Sequence, residues 1–223
     1  GFTAPSNSVM AYYFEQTNST DPVITDRSTL GGQNGFVRLG QSTAPTRTSI
    51  TNFPIQTYAY DFASASKQYM IATNQSVFQF DTNNPWTVSM WVYRSAAAAA
   101  MMLTKWDQVN TKGIALQESA VGSPAIFAMG VGGGYVSETA SGTIPNNQWT
   151  HLTFIHTPGA KAANYAAYIN AVSQSVTVAS DTLAGSCANA LPVLISKYYE
   201  GYAGGLEFNG RIFLPIVATQ AWS

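Results

Sequence analysis

The chain has 223 residues, 46% hydrophobic and 13% aromatic but only 9% charged, with a formal net charge of −1. That is enough apolar surface for a sizeable core and too little charge for a disordered chain. Its 10 Lys and Arg form no basic run, which excludes the electrostatic footprint of a nucleic-acid binder.

With charges well below the usual share, the solvated surface falls to Ser, Thr, Asn, Gln and Gly, which suits sheets and loops. Residues 9–15 read as a first strand of a single domain 1–223, with residues 1–8 as an N-terminal extension. A Gly-Asn turn cluster follows at 31–35. The Thr-, Ser- and Pro-rich stretch 41–57 reads as a long ordered loop, with a linker as the rival. In Trp86–Arg94, alternation puts Trp86, Val88, Met90 and Val92 on one face and Trp91 and Tyr93 on the other. The alanines 96–100 favour helix but are too few to form one alone. Strands continue at 101–107, 113–117 and 125–130.

The Gly-rich stretch 130–134 lacks the Lys-Ser/Thr and the helix that a phosphate loop needs, so it reads as a hairpin tip. Residues 146–156 and 164–170 read as two strands joined by a Thr-Pro-Gly turn. Asn170-Ala171 stands where a tight turn belongs, and 172–178 continues the meander as a third antiparallel strand. The closing strand, 206–216, contains Pro215 and is therefore edge-like or bent there. Cys187 is alone, so no intrachain disulfide exists and a small buried filler is its expected role. The apolar run 96–103 is too short for a membrane span, and the first residues show no signal-peptide pattern.

Several of these stretches occur in a telling order. A polar turn, Gln148-Trp149-Thr150-His151-Leu152-Thr153-Phe154, a loop and Tyr168-Ile169-Asn170-Ala171 form the centre. Trp86-Thr87-Val88-Ser89-Met90-Trp91-Val92 precedes them and Phe208-Asn209-Gly210-Arg211-Ile212 closes the set. The series resembles the laminin-G-like, concanavalin A-like jelly-roll family over roughly residues 9–223. The resemblance implies an all-β fold, a two-sheet antiparallel β-sandwich, with residues 58–62 and 68–71 as one of its strand pairs. Ala171 departs from the Gly usual in that family, and Ala63-Ser64 from its Asp-Gly.

Enzymes of this fold class carry acidic triplets of the form Glu-x-Asp-x-x-Glu on one strand, or Gln-x-His with Arg- and Tyr-bearing strands; neither pattern is present. His151 and His156 sit on opposite faces of one strand and cannot share a site. No His–nucleophile pair is visible, and His151 reads as a packed, hydrogen-bonded strand residue. The chain is therefore expected not to be an enzyme. The resemblance implies a structural Ca²⁺ as the one cofactor to consider, with Asp26 and Asp61 as ligands; turn capping is the rival role. An aromatic platform for sugar is sought at Trp106 with Asp107, and at Tyr198, Tyr199 and Tyr202 in the loop 197–205.

The functional expectation is a non-enzymatic structural or adhesive module, a surface component of a virus or phage particle of the capsid-decoration or tail-fibre type. It would act through protein neighbours, a homo-oligomer or glycans, with the tyrosine loop as the docking element. Its setting would be the virion or the cell surface, with no nucleic acid and no membrane span. The alternative is a carbohydrate-binding lectin domain of an extracellular or bacterial surface protein.

Overall fold

The computed structural model describes residues 7–11, 23–24, 28, 35–38, 45–50, 57–72, 78 and 80–222. Within them lie β1 (Ser8–Ala11), β2 (Val23–Ile24), β3 (Gly35–Arg38), β4 (Thr46–Ile50), β5 (Thr57–Phe62), β6 (Tyr69–Ala72), β7 (Trp86–Arg94), β8 (Ala100–Asp107) and β9 (Lys112–Glu118). They continue with β10 (Pro124–Met129), β11 (Tyr135–Ala140), β12 (Trp149–His156), β13 (Tyr165–Ile169), β14 (Val172–Ser173), β15 (Val176–Asp181), β16 (Val193–Ile195) and β17 (Gly210–Ala218). The described helix consists of two single 3-10 turns, Ser64–Ser66 and Ala162–Asn164.

The strands form two antiparallel sheets. The first runs β14-β13-β12-β7-β17-β5-β4, with β1 added to β17; the second runs β15-β11-β10-β9-β8-β16-β6-β3-β2. Alternation along the strands makes the sandwich. Val88, Met90 and Val92 of β7, and Leu152 and Phe154 of β12, are fully buried and meet Met102, Leu103, Ile114, Leu116 and Ile126 of the second sheet in one core. Trp86 belongs to this core at 3% exposure, edge-on to Phe80 and stacked with His156 at 5.4 Å. The buried His156 also holds its ring nitrogens 2.9 and 3.0 Å from the carbonyls of Asn84 and Gly159.

Several expectations are corrected. Strand pairing starts at Ser8, and Asn7 bonds Thr219 and Gln220, so the extension is shorter than 1–8; residues 12–15 lie outside the described set. The stretch 41–57 is not all loop: its β-branched Thr46 and Thr48 open β4, which pairs with β5 and lays Arg47 over the Tyr58 ring at 3.6 Å. Residues 58–62 and 68–71 do not pair with each other: β5 lies between β17 and β4 in the first sheet, and β6 between β16 and β3 in the second. The third strand of the meander splits. β14 stays with β13, then two residues carry the chain to the other sheet, where β15 pairs with β11. Of the two readings of Pro215 the bend holds and the edge does not: β17 lies between β7 and β5, its register shifts between Phe213 and Ile216, Leu214 takes a φ of 49°, and Pro215 sits in that bulge. Trp91 and Trp149 are half-buried on the outer face of the first sheet.

A second bulge positions the site. Between Met101 and Leu103 the β8 register shifts against β9, so Met102 and Leu103 both enter the core. The parity beyond the bulge is reversed. Lys105 points inward at 2% exposure and donates from Nζ to the Leu191 carbonyl at 2.6 Å, while Trp106 turns to the outer face, beside Ala115 and Phe127. Burial lowers the Lys105 ammonium to about 8.

Candidate functional site

The outer face of the second sheet is crossed by the segment 196–206. Thr104 Oγ1 fixes it by donating to the carbonyls of Lys197 (2.7 Å) and Tyr198 (2.8 Å). Ser196 N donates to Met102 O, and Met101 N to Leu206 O. The buried Lys197 pairs with Glu207 at 3.1 Å. Tyr198 lies tilted on Trp106 at 5.3 Å, and Tyr199 and Tyr202 close a three-ring cluster with it at 5.2–5.4 Å. Burial, aided by the two neighbouring tyrosines, raises the Tyr198 phenol to about 12. The loop is thus folded down on the sheet.

At the edge of this cluster a cavity of about 370 Å³ opens between the 107–110 turn, residues 191–194 and Tyr199-Glu200. This lies in the size range of small-molecule sites. Its walls are Trp106, Val109, Leu191, Pro192, Leu194 and Tyr199; its polar groups are Asp107, Gln108 and Glu200. Of these, Asp107 is committed to the turn: it accepts from the backbone N–H groups of Val109 (3.1 Å) and Asn110 (3.0 Å) and from Asn110 Nδ2 (2.8 Å). Those bonds, the Asn110 side chain first, hold its carboxyl below the usual range. Gln108 Oε1 accepts from Trp106 Nε1 at 3.2 Å, and Glu200 Oε1 from the Tyr69 hydroxyl at 3.3 Å. The rim therefore presents an amide and a carboxylate to the opening, beside Val109, which is 91% exposed.

Of the residues singled out in the sequence, Trp106, Asp107 and Tyr199 meet at this cavity; Tyr198 and Tyr202 support it from behind. Sequence reading missed Gln108, Val109, Glu200 and the 191–194 wall. Leu191-Pro192 lies 85 or more residues from Trp106 in sequence and carries no signal of its own. Trp106 itself is 4% exposed, so it forms the floor and not a free platform.

Of the two metal candidates, one lies among the described residues. Asp61 pairs with Arg211 Nε at 3.1 Å, which commits its carboxylate; Asp26 lies outside the described residues. Among the described residues no three His, Cys, Asp or Glu side chains come together in a metal-holding group. The described residues alone therefore assemble no carboxylate-rich set of the kind Ca²⁺ prefers. Cys187 is a buried filler, its thiol pushed up to about 12 by burial.

One pairing overturns an expectation. Ser89 Oγ lies 2.7 Å from His151 Nε2 across β7 and β12, so a His–hydroxyl pair does exist. Its members are 62 positions apart in sequence, which hid it. Trp91 packs on the His151 ring at 5.0 Å, and burial lowers the imidazole pKa. No carboxylate accompanies the pair in any described contact, so the triad logic of a nucleophile, a base and its orienting group is not met. His151 is the hydrogen-bonded strand residue that its position implies. No described helix is long and apolar enough to cross a membrane.

The comparisons agree with this architecture. No curated protein matches the sequence. Among solved structures, the binding domain of Paraclostridial Mosquitocidal Protein 1 superposes with a TM-score of 0.70 at 16% identity, covering 97% of this chain and 50% of that one. Domain 4 of AbnA, a GH43 extracellular arabinanase from Geobacillus stearothermophilus, solved in complex with arabinotriose, gives 0.66 at 16% identity, covering 97% and 94%. The binding domain of botulinum neurotoxin DC, in complex with rat synaptotagmin II, gives 0.63 at 13% identity, covering 97% and 49%. At these identities the likeness is one of fold. The chain spans about half the length of the toxin binding domains and nearly all of the arabinanase domain. The family model described as the concanavalin A-like lectin/glucanases superfamily matches residues 64–213, from the first 3-10 turn into β17. The chain belongs to that superfamily.

Proposed function

We propose that the chain is a carbohydrate-binding, lectin-type domain that acts without turnover, with its sugar site in the cavity between Trp106, Leu191 and Tyr199. The observation that carries this reading is the convergence of an apolar wall, an aromatic ring and two rim polar groups, Gln108 and Glu200, at one opening. A sugar offers an apolar ring face and a belt of hydroxyls, and this lining matches both. The arabinotriose complex of a structural neighbour makes a glycan ligand the natural first choice. An extracellular or cell-surface setting goes with it.

A glycan array followed by titration calorimetry tests the reading. Tyr199→Ala is expected to weaken the best ligand at least tenfold while lowering the melting temperature by no more than about 3 °C, and Glu200→Gln to weaken it by a smaller factor. Absence of binding to every glycan, or full affinity in Tyr199→Ala, removes the site.

A second reading has its own support. The loops 95–99 and 131–133 are exposed and uncharged, and Gly132 and Gly133 have open space around them. Such loops desolvate cheaply against a protein, and one neighbour was solved with a protein partner. This supports a structural or adhesive role against a protein neighbour, for which a homo-oligomer or a virus or phage particle is the proposed setting. Its test is the assembly state of the purified chain by light scattering: a persistent monomer that binds glycan leaves the lectin reading alone.

A further inference from the structure

The aromatic floor does not stop at the cavity. Phe127 of β10 meets Trp106 at 5.6 Å and Tyr135 of β11 at 5.4 Å, so rings follow one another across the outer face from Tyr199 through Tyr198, Trp106 and Phe127 to Tyr135. The intervening strand makes this contact available. β9 contributes Gly113 and Ala115 on that face, and rings from β8 and β10 close over them. Gly113 has a φ of 137°, and a Cβ there would lie 2.1 Å from the Lys105 carbonyl and 3.0 Å from Trp106 Cα, so no larger residue fits. Phe127 and Tyr135 are half-buried, and their strand neighbours on the same face, Ser137 and Gln117, are half-exposed polar residues. No outward residue from β8 to β11 between Trp106 and Tyr135 is charged; the acids of this region, Glu118 and Glu138, point inward and are buried.

We infer that the sugar site of the cavity continues along this row, and that the domain takes a linear, uncharged oligosaccharide laid across the strands from Tyr199 to Tyr135. The inference rests on the glycan reading of the cavity and adds to it a chain length, a direction and a charge class. The rings stay in contact at 5.2–5.6 Å with Trp106 as floor beneath Tyr198, so the half-buried Tyr199, Phe127 and Tyr135 border one continuous apolar track along which a sugar chain can lie. Uncharged lining desolvates against a neutral chain at little cost but offers no cation to a uronate. At the cavity end, the two acids of the lining, Asp107 and Glu200, disfavour an anionic ligand further.

The experiment is calorimetry with arabino-, xylo- and cello-oligosaccharides of increasing length, from the monosaccharide upward, and with oligogalacturonates as the charged control. The proteins are wild type, Tyr199→Ala, Phe127→Ala/Tyr135→Ala, and Phe127→Tyr as the conservative variant; thermal melts check folding. In wild type, affinity for one neutral series is expected to climb at least tenfold from the shortest binding member to the longest. The double variant should keep the shortest member's affinity within about twofold and lose the climb, Phe127→Tyr should retain it, and Tyr199→Ala should weaken every length. Length-independent binding, a climb that survives the double variant, or oligogalacturonates bound as tightly as the neutral series overturns the inference while leaving the cavity as a sugar site. Absence of binding in every series overturns the cavity reading and the row with it.

Discussion

Each sheet turns aromatic side chains outward, and the two outer faces use them differently. On the first sheet the rings are tied down. Trp91 covers the His151–Ser89 pair, Tyr93 packs on Trp149 at 5.5 Å, and Arg211 lies over Tyr93 while paired with Asp61. The C-terminal tail crosses the same face, with Thr87 Oγ1 donating to Gln220 O and accepting from Trp222 N. On the second sheet the polar ties hold a loop's backbone, and the rings are left beside an open cavity. The number of aromatic residues therefore does not locate a site. What separates the faces is whether each ring's neighbours have already spent their charges and hydrogen bonds.

The widest test of that contrast sets a core ring against a site ring. Trp86→Ala removes a ring buried between Phe80, His156 and Tyr165 and should cost about 3–5 kcal/mol. Trp149→Ala, half-buried, should cost about 1–2 kcal/mol, and Tyr199→Ala less than about 1 kcal/mol. Urea unfolding checks the order; a Tyr199→Ala loss as large as that of Trp86→Ala would mean that the loop is scaffold. Next in size is the buried Arg94–Glu118 pair, 3.4 Å apart with both side chains nearly inaccessible. Glu118→Ala strands the guanidinium in the interior and should cost about 3 kcal/mol. Loss of less than about 1 kcal/mol in urea unfolding would show that the pair is solvated.

How much of this was legible in the sequence follows from what each feature depends on. Alternation in Trp86–Arg94 and Trp149–His156 is local, and the faces it assigns are the faces observed. The Phe-x-Gly-x-Ile closure leads into β17, which begins at Gly210 and not at 206, with Gly210, Arg211 and Ile212 on the strand. The cavity was half legible: Trp106, Asp107 and Tyr199 announce themselves by type, whereas Leu191, Pro192 and Glu200 join them only through sheet topology. The outward turn of Trp106 depends on the β8 bulge, and a period-2 reading has no access to an extra residue. β11 was passed over because its Ser-Glu-Thr core reads as surface, yet Glu138 points inward and is 1% exposed.

That buried carboxylate gives the third prediction. Neither oxygen of Glu138 has a hydrogen-bond partner, and burial, with the nearby Asp181 charge, raises its pKa from 4.5 to about 7. Between those values the folded chain holds a proton that the unfolded chain has released. Stability is therefore lost as pH rises through this window, and the loss is complete above pH 7. Glu138→Gln should raise stability by about 1–2 kcal/mol at pH 8 and by nothing near pH 4. Melting curves across that range check it; a gain that does not depend on pH would show that Glu138 is ionised in both states.

The smallest effect lies in the scaffold face, at the β13–β14 turn. Asn170 and Ala171 have φ of 50° and 64°, the two positive values that a two-residue hairpin turn requires to match strand twist. Asn tolerates this region, and Asn170 is anchored twice to His151: its Oδ1 accepts from the backbone N–H at 2.9 Å, and its own N–H donates to the carbonyl at 2.8 Å. Alanine has no such excuse, because its Cβ crowds the following carbonyl by roughly 1 kcal/mol. Glycine removes that crowding but adds freedom to the unfolded chain, which offsets part of the gain. Ala171→Gly should therefore stabilise the domain by about 0.5 kcal/mol, or roughly 1–2 °C in Tm for a chain of this size. Because the turn lies on the first sheet, glycan affinity should not change. A lower Tm would mean that the turn relaxes to negative φ in solution. A changed affinity would join two faces that the hydrogen bonding keeps apart.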